Sequence, residues 1–242
     1  MINKRARAVT SVTVDLAIFT VRDDDLKVLL ITRGNDPFLG SLALPGGYVR
    51  DGEALDEAAL RELHEETGIN GRRLHLEQVR AFGAPGRDPR GRVVTVAYLA
   101  LGPNLPDPEA GTDAKAASWV SVREALDWQI TLAFDHSDIL REALERARSQ
   151  LEYTTVATAF CREPFSVGDL RRVYEIVWNV TLDPSNFRRK VTRAERFLEP
   201  TGERRRSETG RPAILYRRGP AKLLHPPLHR HGDAVMRDPY LA

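Results

Sequence analysis

Three glutamates within one helical turn constrain this 242-residue chain more than any other feature. Leu55, Ala59 and Leu63 recur every four residues and Gly68 supplies a stop, so the spacing predicts a helix over Glu53 to Thr67. On that helix Glu62, Glu65 and Glu66 stand at i, i+3 and i+4 and share one face. Like charges at such spacings destabilise a helix by a few tenths of a kcal/mol per pair, roughly 0.2–0.5. A solvated acidic helix is one reading of three glutamates taken alone. The other is a divalent cation among them, which reverses the sign of the repulsion; hard oxygen ligands suit Mg²⁺ or Mn²⁺. Upstream, Gly46-Gly47 lets backbone approach a ligand closely, and a carbonyl there can complete a metal shell. Arg61, beside the cluster, can pair with Glu53 across the preceding loop and hold the helix in place.

The wider pattern decides between the two readings. Gly47 is followed by five residues, Glu53, seven residues, and then Arg61-Glu62-Leu63-His64-Glu65-Glu66-Thr67-Gly68-Ile69. It resembles the box of the Nudix superfamily at every defined position, a match that chance gives at one start only about once in 10⁹. The resemblance implies an α/β (α+β) fold, an α/β/α sandwich on a mixed sheet, with the box as loop, helix and loop. It further implies that Gly46 (through its carbonyl), Glu62, Glu65 and Glu66 bind Mg²⁺ or Mn²⁺. Glu53, Arg61 and Gly68 then hold the box in shape, and Gly47 lies against the ligand. A carboxylate, Glu62 or Glu66 in the box or Glu109 in a downstream loop, takes the proton from water, though Glu109 reads equally as ordinary solvated loop charge. The implied chemistry is hydrolysis of a nucleoside diphosphate linked to another group, in which the metal neutralises charge and activates water. A further stretch, Phe82-Gly83 with Arg87-Asp88-Pro89-Arg90-Gly91-Arg92, resembles a segment of ADP-ribose-handling members. Arg87, Arg90 and Arg92 can counter a diphosphate there; an exposed basic turn is the plainer alternative. Where many relatives carry Trp before Ala-Leu-Pro-Gly-Gly, this chain has Leu42.

Around the box, β-branched runs at Val12 to Thr20 and Leu26 to Thr32, split by three aspartates, predict a hairpin. A short strand broken by Pro45-Gly46-Gly47 follows, and further strands are expected over Leu76 to Phe82, Val93 to Leu101 and Ala117 to Val122. An amphipathic helix is expected over Ser137 to Gln150. These place a Nudix domain at 1–134 and a connector helix at 135–150. Residues 1–150 hold 19 Lys+Arg against 23 Asp+Glu, a net of −4, while residues 151–242 hold 17 against 11, a net of +6. An acidic half joined to a basic half suggests two tasks, the second facing a polyanion.

The basic half has its own pattern. Leu170, Val173, Tyr174, Val177 and Trp178 fall at helical spacing behind a Ser166/Asp169 cap. Asp183-Pro184 starts a second helix with Phe187, Val191 and Ala194 as its apolar stripe. Phe197 to Glu199 and Ala213 to Tyr216 are expected as short strands joined by Pro200 to Pro212. Helix, turn, helix and hairpin are the order of a winged helix-turn-helix. Phe165-Ser166, Val173-Tyr174-Glu175, Leu182-Asp183, Asn186-Phe187-Arg188-Arg189-Lys190, Gly210-Arg211-Pro212 and Leu215-Tyr216 resemble the Nudix-related transcriptional regulator family. That resemblance covers all but the tail. It implies a homodimer that binds palindromic operator DNA, senses ADP-ribose or a related nucleotide, and controls NAD or sugar metabolism. Members often carry a degraded box without hydrolysis; this box is intact, which implies sensing together with at least slow turnover. The rival function is a plain ADP-ribose pyrophosphatase whose second domain only dimerises or docks.

Charge supports the DNA-binding reading. From Asn186 to Arg218 eleven Lys+Arg face four Asp+Glu. Asn186, Arg188, Arg189, Lys190 and Arg193 are the candidates for a major groove, where Arg reads guanine and Asn reads adenine. Arg204, Arg205, Arg206 and Arg211 in the wing are candidates for phosphate or minor-groove contact. The winged helix is placed at 151–218 and a disordered, Pro/His-rich tail at 219–242. His225, His229 and His231 are read as tail rather than metal site, and Trp119, Trp128 and Trp178 as core. Cys161 is the single cysteine, so an intrachain disulfide is excluded and a reducing, cytoplasmic setting fits. No run of about 18 apolar residues or signal peptide is read, so no membrane partner is expected.

Overall fold

The computed structural model describes residues 9–71, 74–108, 114–127, 130–207, 210–230 and 234–236, with backbone alone at 114–115, 207, 210–211 and 234–236. Glu109, Trp128 and His231, and the side chain of Arg211, lie outside the described residues. The chain divides into two compact units. One comprises Met1–Ile18, Val28–Ala100 and Pro106–Ala143; the other comprises Phe19–Lys27, Leu101–Leu105 and Leu144–Ala242.

The strands β1 (Ser11–Arg22) and β2 (Asp25–Arg33), which belong to the first unit except for Phe19–Lys27, form the expected hairpin. Its turn residues Asp23 and Asp24 take positive φ angles of 51° and 57°, which aspartate tolerates better than β-branched residues do. The following elements are β3 (Leu42–Ala43), β4 (Gly46–Tyr48), α1 (Leu55–Thr67), β5 (His75–Phe82) and β6 (Val93–Leu101). Then come β7 (Ala114–Ser121), the short α2 (Val122–Ala125) and α3 (His136–Tyr153). The seven strands make one sheet in the order β3-β2-β1-β6-β5, with β4 added on β1 and β7 on β2. Eight consecutive β1 residues from Thr13 are buried, as a strand covered on both faces requires. Gly46 and Gly47, expected only as part of a break, instead open strand β4: Asp15 pairs with Gly46, Val14 with Gly47 and Thr13 with Tyr48. A Cβ on Gly46 would lie 2.2 Å from the Val14 carbonyl oxygen, so the pairing depends on a bare backbone.

The helix α1 starts two residues later than expected, because Glu53 lies in the loop before it. Its first turn is held by Glu57, whose carboxylate accepts the Ala54 N–H at 3.0 Å. Gly68 ends it in the left-handed region at φ 70°, its N–H bonded to the His64 carbonyl. Ala58, Ala59 and Leu63 are its fully buried face.

The second unit takes up α3 and continues through a 3₁₀ turn (Val156–Phe160), β8 (Phe165–Ser166), α4 (Val167–Trp178), β9 (Val180–Leu182) and α5 (Pro184–Arg193). It then forms β10 (Leu198–Ser207), β11 (Gly210–Arg218) and β12 (Ala234–Met236). Ser166 and Asp169 close a reciprocal cap on α4, at 3.1 and 2.8 Å. Asp183 caps α5 by accepting the Asn186 N–H at 2.7 Å. Tyr174 stacks edge-on against Trp178 and Phe187, joining α4 to α5. The turn between the helices is locked by buried Glu175, which accepts from Arg171 and from the Leu182 N–H at 3.0 Å each. Trp178 is core as expected, but Trp119 is only half-buried and donates to the Pro106 carbonyl.

Two expectations for this unit need correction. The wing strands are longer than read: β10 and β11 pair almost to their tips, and the Pro200–Pro212 segment is mostly ladder. Glu203-Arg204-Arg205-Arg206 lacks the apolar alternation that marks a strand, and a register shift between Pro200 and Arg204 takes in Gly202 (φ 83°). The segment after Gly219 was expected to be disordered, yet through Arg230 it packs on α3. Leu224 and Leu228 are buried, and their N–H groups bond the carbonyls of Tyr153 and Glu152 at 2.8 and 2.9 Å. Farther on, β12 pairs with β9. Prolines spaced along an extended strap preclude helix but not docking by backbone hydrogen bonds. Leu228→Ala should therefore lower stability by about 2–4 kcal/mol in urea denaturation. A change below about 0.5 kcal/mol would show that the strap contributes nothing.

Candidate functional site

The box folds around one guanidinium. Arg61 reaches back from α1 to Glu53, with Nε–Oε1 at 2.6 Å and Nη2–Oε2 at 2.8 Å, a planar two-bond fork. The same side chain donates to Glu62 Oε1 at 2.6 Å, Glu65 Oε2 at 3.0 Å and the Tyr48 carbonyl at 3.0 Å. It thus ties α1 to β4 and to the loop between them. Glu53 also accepts the Arg50 N–H at 3.0 Å. These bonds hold the Glu53 carboxyl at about 2, far below its ordinary value, with the Arg61 hydrogen bond as the largest cause. A depressed acid contributes stability above its unfolded pKa of about 4.5 and loses it as pH falls through the folded value. The acid-unfolding curve should therefore carry a component between pH about 4.5 and about 2 that Glu53→Gln removes. An unchanged curve in the variant would refute the linkage.

The three box glutamates are held differently. Glu62 and Glu66 are buried, whereas Glu65 is 40% exposed and also ion-pairs with Arg50 at 3.0 Å. Glu66 Oε2 accepts the Gly46 N–H at 2.8 Å. Glu62 lies against Gly47 so closely that a Cβ there would sit 2.3 Å from Oε1. Burial raises the Glu62 acid above the ordinary range, opposed by its Arg61 hydrogen bond. Among the described residues no group of three or more His, Cys, Asp or Glu side chains is gathered at metal-holding geometry. Arg61 pairs with Glu62 and Glu65, and Arg50 with Glu65. The donor chemistry nevertheless fits a hard divalent ion. Two buried carboxylates and one exposed carboxylate project from one helical turn beside the Gly46-Gly47 backbone.

Above the box lies a cavity of about 390 Å³, the scale of a nucleotide site. Gly46, Gly47, Glu62, Glu65 and Glu66 line it, as do Arg87 and Arg90. Arg87 does not offer a free charge: it is 4% exposed and forks onto Asp135 at 2.8 and 2.6 Å. Arg90 forks onto Asp88 and lies over the rings of Tyr48 and Phe134, at 5.3 and 5.4 Å. Arg92 is not among the lining residues; it donates to the Gly83 carbonyl at 2.6 Å. Sequence reasoning missed Arg33, Arg50, Asp15, Phe134 and His136, all in the lining. Arg33 ends β2 with its guanidinium 4.8 Å over the Phe134 ring. The missed residues come from four separate segments, and no local spacing links them.

On the second unit, Arg188, Arg189 and Arg193 are exposed on α5 while Phe187 and Val191 are buried. Arg189 donates to Asn186 Oδ1 at 2.5 Å. Asn186 and Lys190 are only half-exposed and line a crevice with Leu228 and His229, so the strap reaches their side of the helix. Arg204, Arg205 and Arg206 are exposed on β10, and Arg205 pairs with Asp169 at 2.9 Å.

Residues 12–143 match the model of the NUDIX domain, and residues 158–218 match that of the NrtR DNA-binding winged helix domain. The chain is 37% identical over 207 residues to the ADPR responsive transcriptional repressor NtrR of Acinetobacter baylyi, covering 85% of this chain and 80% of that one. It is 39% identical over 129 residues to an ADP-ribose pyrophosphatase of Methanocaldococcus jannaschii, covering 52% of this chain and 71% of that one. Its fold is similar to the crystal structure of Shewanella oneidensis NrtR complexed with a 27mer DNA. The TM-score is 0.72 at 34% identity, covering 88% of this chain and 99% of that chain.

Proposed function

Because the chain belongs to the Nudix-related transcriptional regulators, a NUDIX domain followed by an NrtR DNA-binding winged helix, we propose that it is an ADP-ribose-responsive repressor that also hydrolyses its ligand slowly. The carrying observation is the presence in one chain of an arginine-lined cavity over an intact carboxylate box and a winged helix with an exposed arginine face. The winged-helix match and the repressor relative favour this over a plain pyrophosphatase. The protein acts as a cytoplasmic homodimer on palindromic operators of NAD or sugar-metabolism genes. Among the described residues no helix is long and apolar enough to cross a membrane.

In the cavity, Arg33, Arg50 and Arg90 face the diphosphate, and Phe134 and Tyr48 present ring faces at the rim. Gly46, through its carbonyl, with Glu62, Glu65 and Glu66 would hold Mg²⁺ or Mn²⁺, which would neutralise diphosphate charge and lower the pKa of water there. Arg61 holds Glu62 and Glu65 in register, and Gly47 leaves room for the Glu62 carboxylate. Glu62, with its raised acid, is placed to accept the proton of the attacking water; Glu66, committed to the Gly46 N–H, is the lesser candidate. Glu109 remains the candidate second base. The hydrolase relative supports this chemistry.

Control requires that ligand bind the DNA-free and DNA-bound forms unequally. The helix α3, beginning at cavity residue His136 and continuing into the second unit, is the candidate transmitter. Fluorescence anisotropy on DNA upstream of the neighbouring genes tests the reading. Operator should be preferred over random DNA at near-physiological salt, and ADP-ribose should weaken binding at least tenfold. Equal affinity for both DNAs, or indifference to ADP-ribose, would overturn it.

A further inference from the structure

The hairpin of β1 and β2 takes part in both compact units. Its strands are hydrogen-bonded neighbours in the sheet. Their near ends line the cavity, with Thr13 and Asp15 on β1 and Ile31 and Arg33 on β2. Their far ends, Phe19–Lys27, fall in the second unit. There Thr20 Oγ1 donates to the Gly102 carbonyl at 2.9 Å and accepts the Leu105 N–H at 3.2 Å, both partners lying in the same unit. Val21 borders a cleft with Phe160, Phe165 and Val173. At the turn, the Asp24 carboxylate accepts from Arg172 Nε of α4 at 2.8 Å.

That pair stands between the two tasks of the chain. On one side, β1 is buried from Thr13 to Thr20, and the seven residues from Asp15 to Arg22 span about 23 Å of strand at 3.3 Å per residue. A strand packed on both faces transmits a displacement along its length because close packing leaves it no slack. On the other side, α4 is joined tightly to α5. Glu175, one turn beyond Arg172, accepts the Leu182 N–H at 3.0 Å, and the Tyr174 ring meets Phe187 of α5 at 5.2 Å. The Asp24 and Arg172 side chains are 73% and 45% exposed, so their bond contributes little to folding. A weak contact can still bias two arrangements of the molecule if it is made better in one of them.

We propose that the β1–β2 hairpin carries ligand control from the cavity to the winged helix, with the Asp24–Arg172 pair as the contact through which it acts on α4. The proposal rests on the reading of the chain as an ADP-ribose-responsive repressor and adds a route beside α3. Fluorescence anisotropy of the full chain on operator DNA, with and without saturating ADP-ribose, tests it. The ratio of the two affinities measures the coupling, and any direct effect of a substitution on DNA contact cancels in it. In Arg172→Glu, which sets a like charge against Asp24, the ratio should fall from tenfold or more to about threefold or less. Adding Asp24→Arg, which exchanges the two charges, should restore it. Neither residue lines the cavity, so the calorimetric affinity for ADP-ribose alone should match wild type. If Arg172→Glu does not fold, Asp24→Asn takes its place with the same expected loss, since asparagine tolerates the positive φ of 57° at that position. A wild-type ratio in the variant that folds would overturn the proposal and leave α3 as the route. So would a loss that persists after the charges are exchanged, which would make the two positions structural. A wild-type protein whose operator affinity ignores ADP-ribose would instead sink the functional reading on which the proposal stands.

Discussion

Replacing Arg188 and Arg189 together by alanine is expected to lower operator affinity by about 10²- to 10⁴-fold while leaving ADP-ribose turnover intact. Each arginine that makes a bidentate contact to a guanine edge is worth roughly 1–3 kcal/mol of discrimination, and each 1.4 kcal/mol is tenfold. Both side chains are exposed on α5, on the side away from Phe187 and Val191, so truncation opens no cavity. Melting temperature should hold within the change of about 0.5 kcal/mol ordinary for surface positions. The pair does not act through charge alone: Arg189 also fixes the Asn186 amide at 2.5 Å, and Asn186 is the candidate adenine reader. The variant should therefore lose preference among sequences as well as affinity. By contrast, Arg204→Ala or Arg206→Ala on β10 should weaken all DNA about equally and reduce the salt slope by about one each, as phosphate contacts do. A double variant that still prefers operator DNA as wild type does would place recognition on another surface.

The sequence revealed most where chemistry is carried by short-range spacing. Arg61, Glu62, Glu65 and Glu66 lie within six positions, and a helical period of 3.6 gathers them without knowledge of the fold. Caps were equally legible at Asp183-Pro184 and Gly68, because they depend on one residue's backbone preferences. The cavity was not. Asp15, Arg33, Phe134 and His136 meet only because β1, β2 and the start of α3 are brought together by the sheet, and each alone reads as an ordinary strand or loop residue. Arg87 was expected to face a diphosphate and does line the cavity, but its burial between Asp135 and Asp15 was not legible, because composition cannot register burial. The strap after Gly219 escaped because its binding to α3 and β9 is largely by backbone hydrogen bonds, which leave little side-chain signature.

Glu62→Gln should abolish hydrolysis, lowering kcat by about 10²- to 10⁴-fold, the range for removing a general base, without unfolding the protein. The stability argument follows from the direction of the acid's shift. Burial raises the Glu62 carboxyl, so the folded state disfavours the charged form, and this contribution to stability falls as pH rises through the folded value. A neutral amide of the same shape removes that cost near pH 7, and Arg61 keeps Glu53, Glu65 and the Tyr48 carbonyl as partners. The melting temperature should hold or rise at neutral pH. With turnover gone, ADP-ribose should still release operator DNA, and its effect should persist instead of decaying as ligand is consumed. Single-turnover assays with Mg²⁺ or Mn²⁺, run beside anisotropy over hours, measure both. If the variant kept wild-type kcat, the base would lie elsewhere, with Glu109 next to be tested. If the variant lost ligand control together with hydrolysis, turnover itself would be part of the signal, and the cavity could not be a sensor that merely happens to cleave.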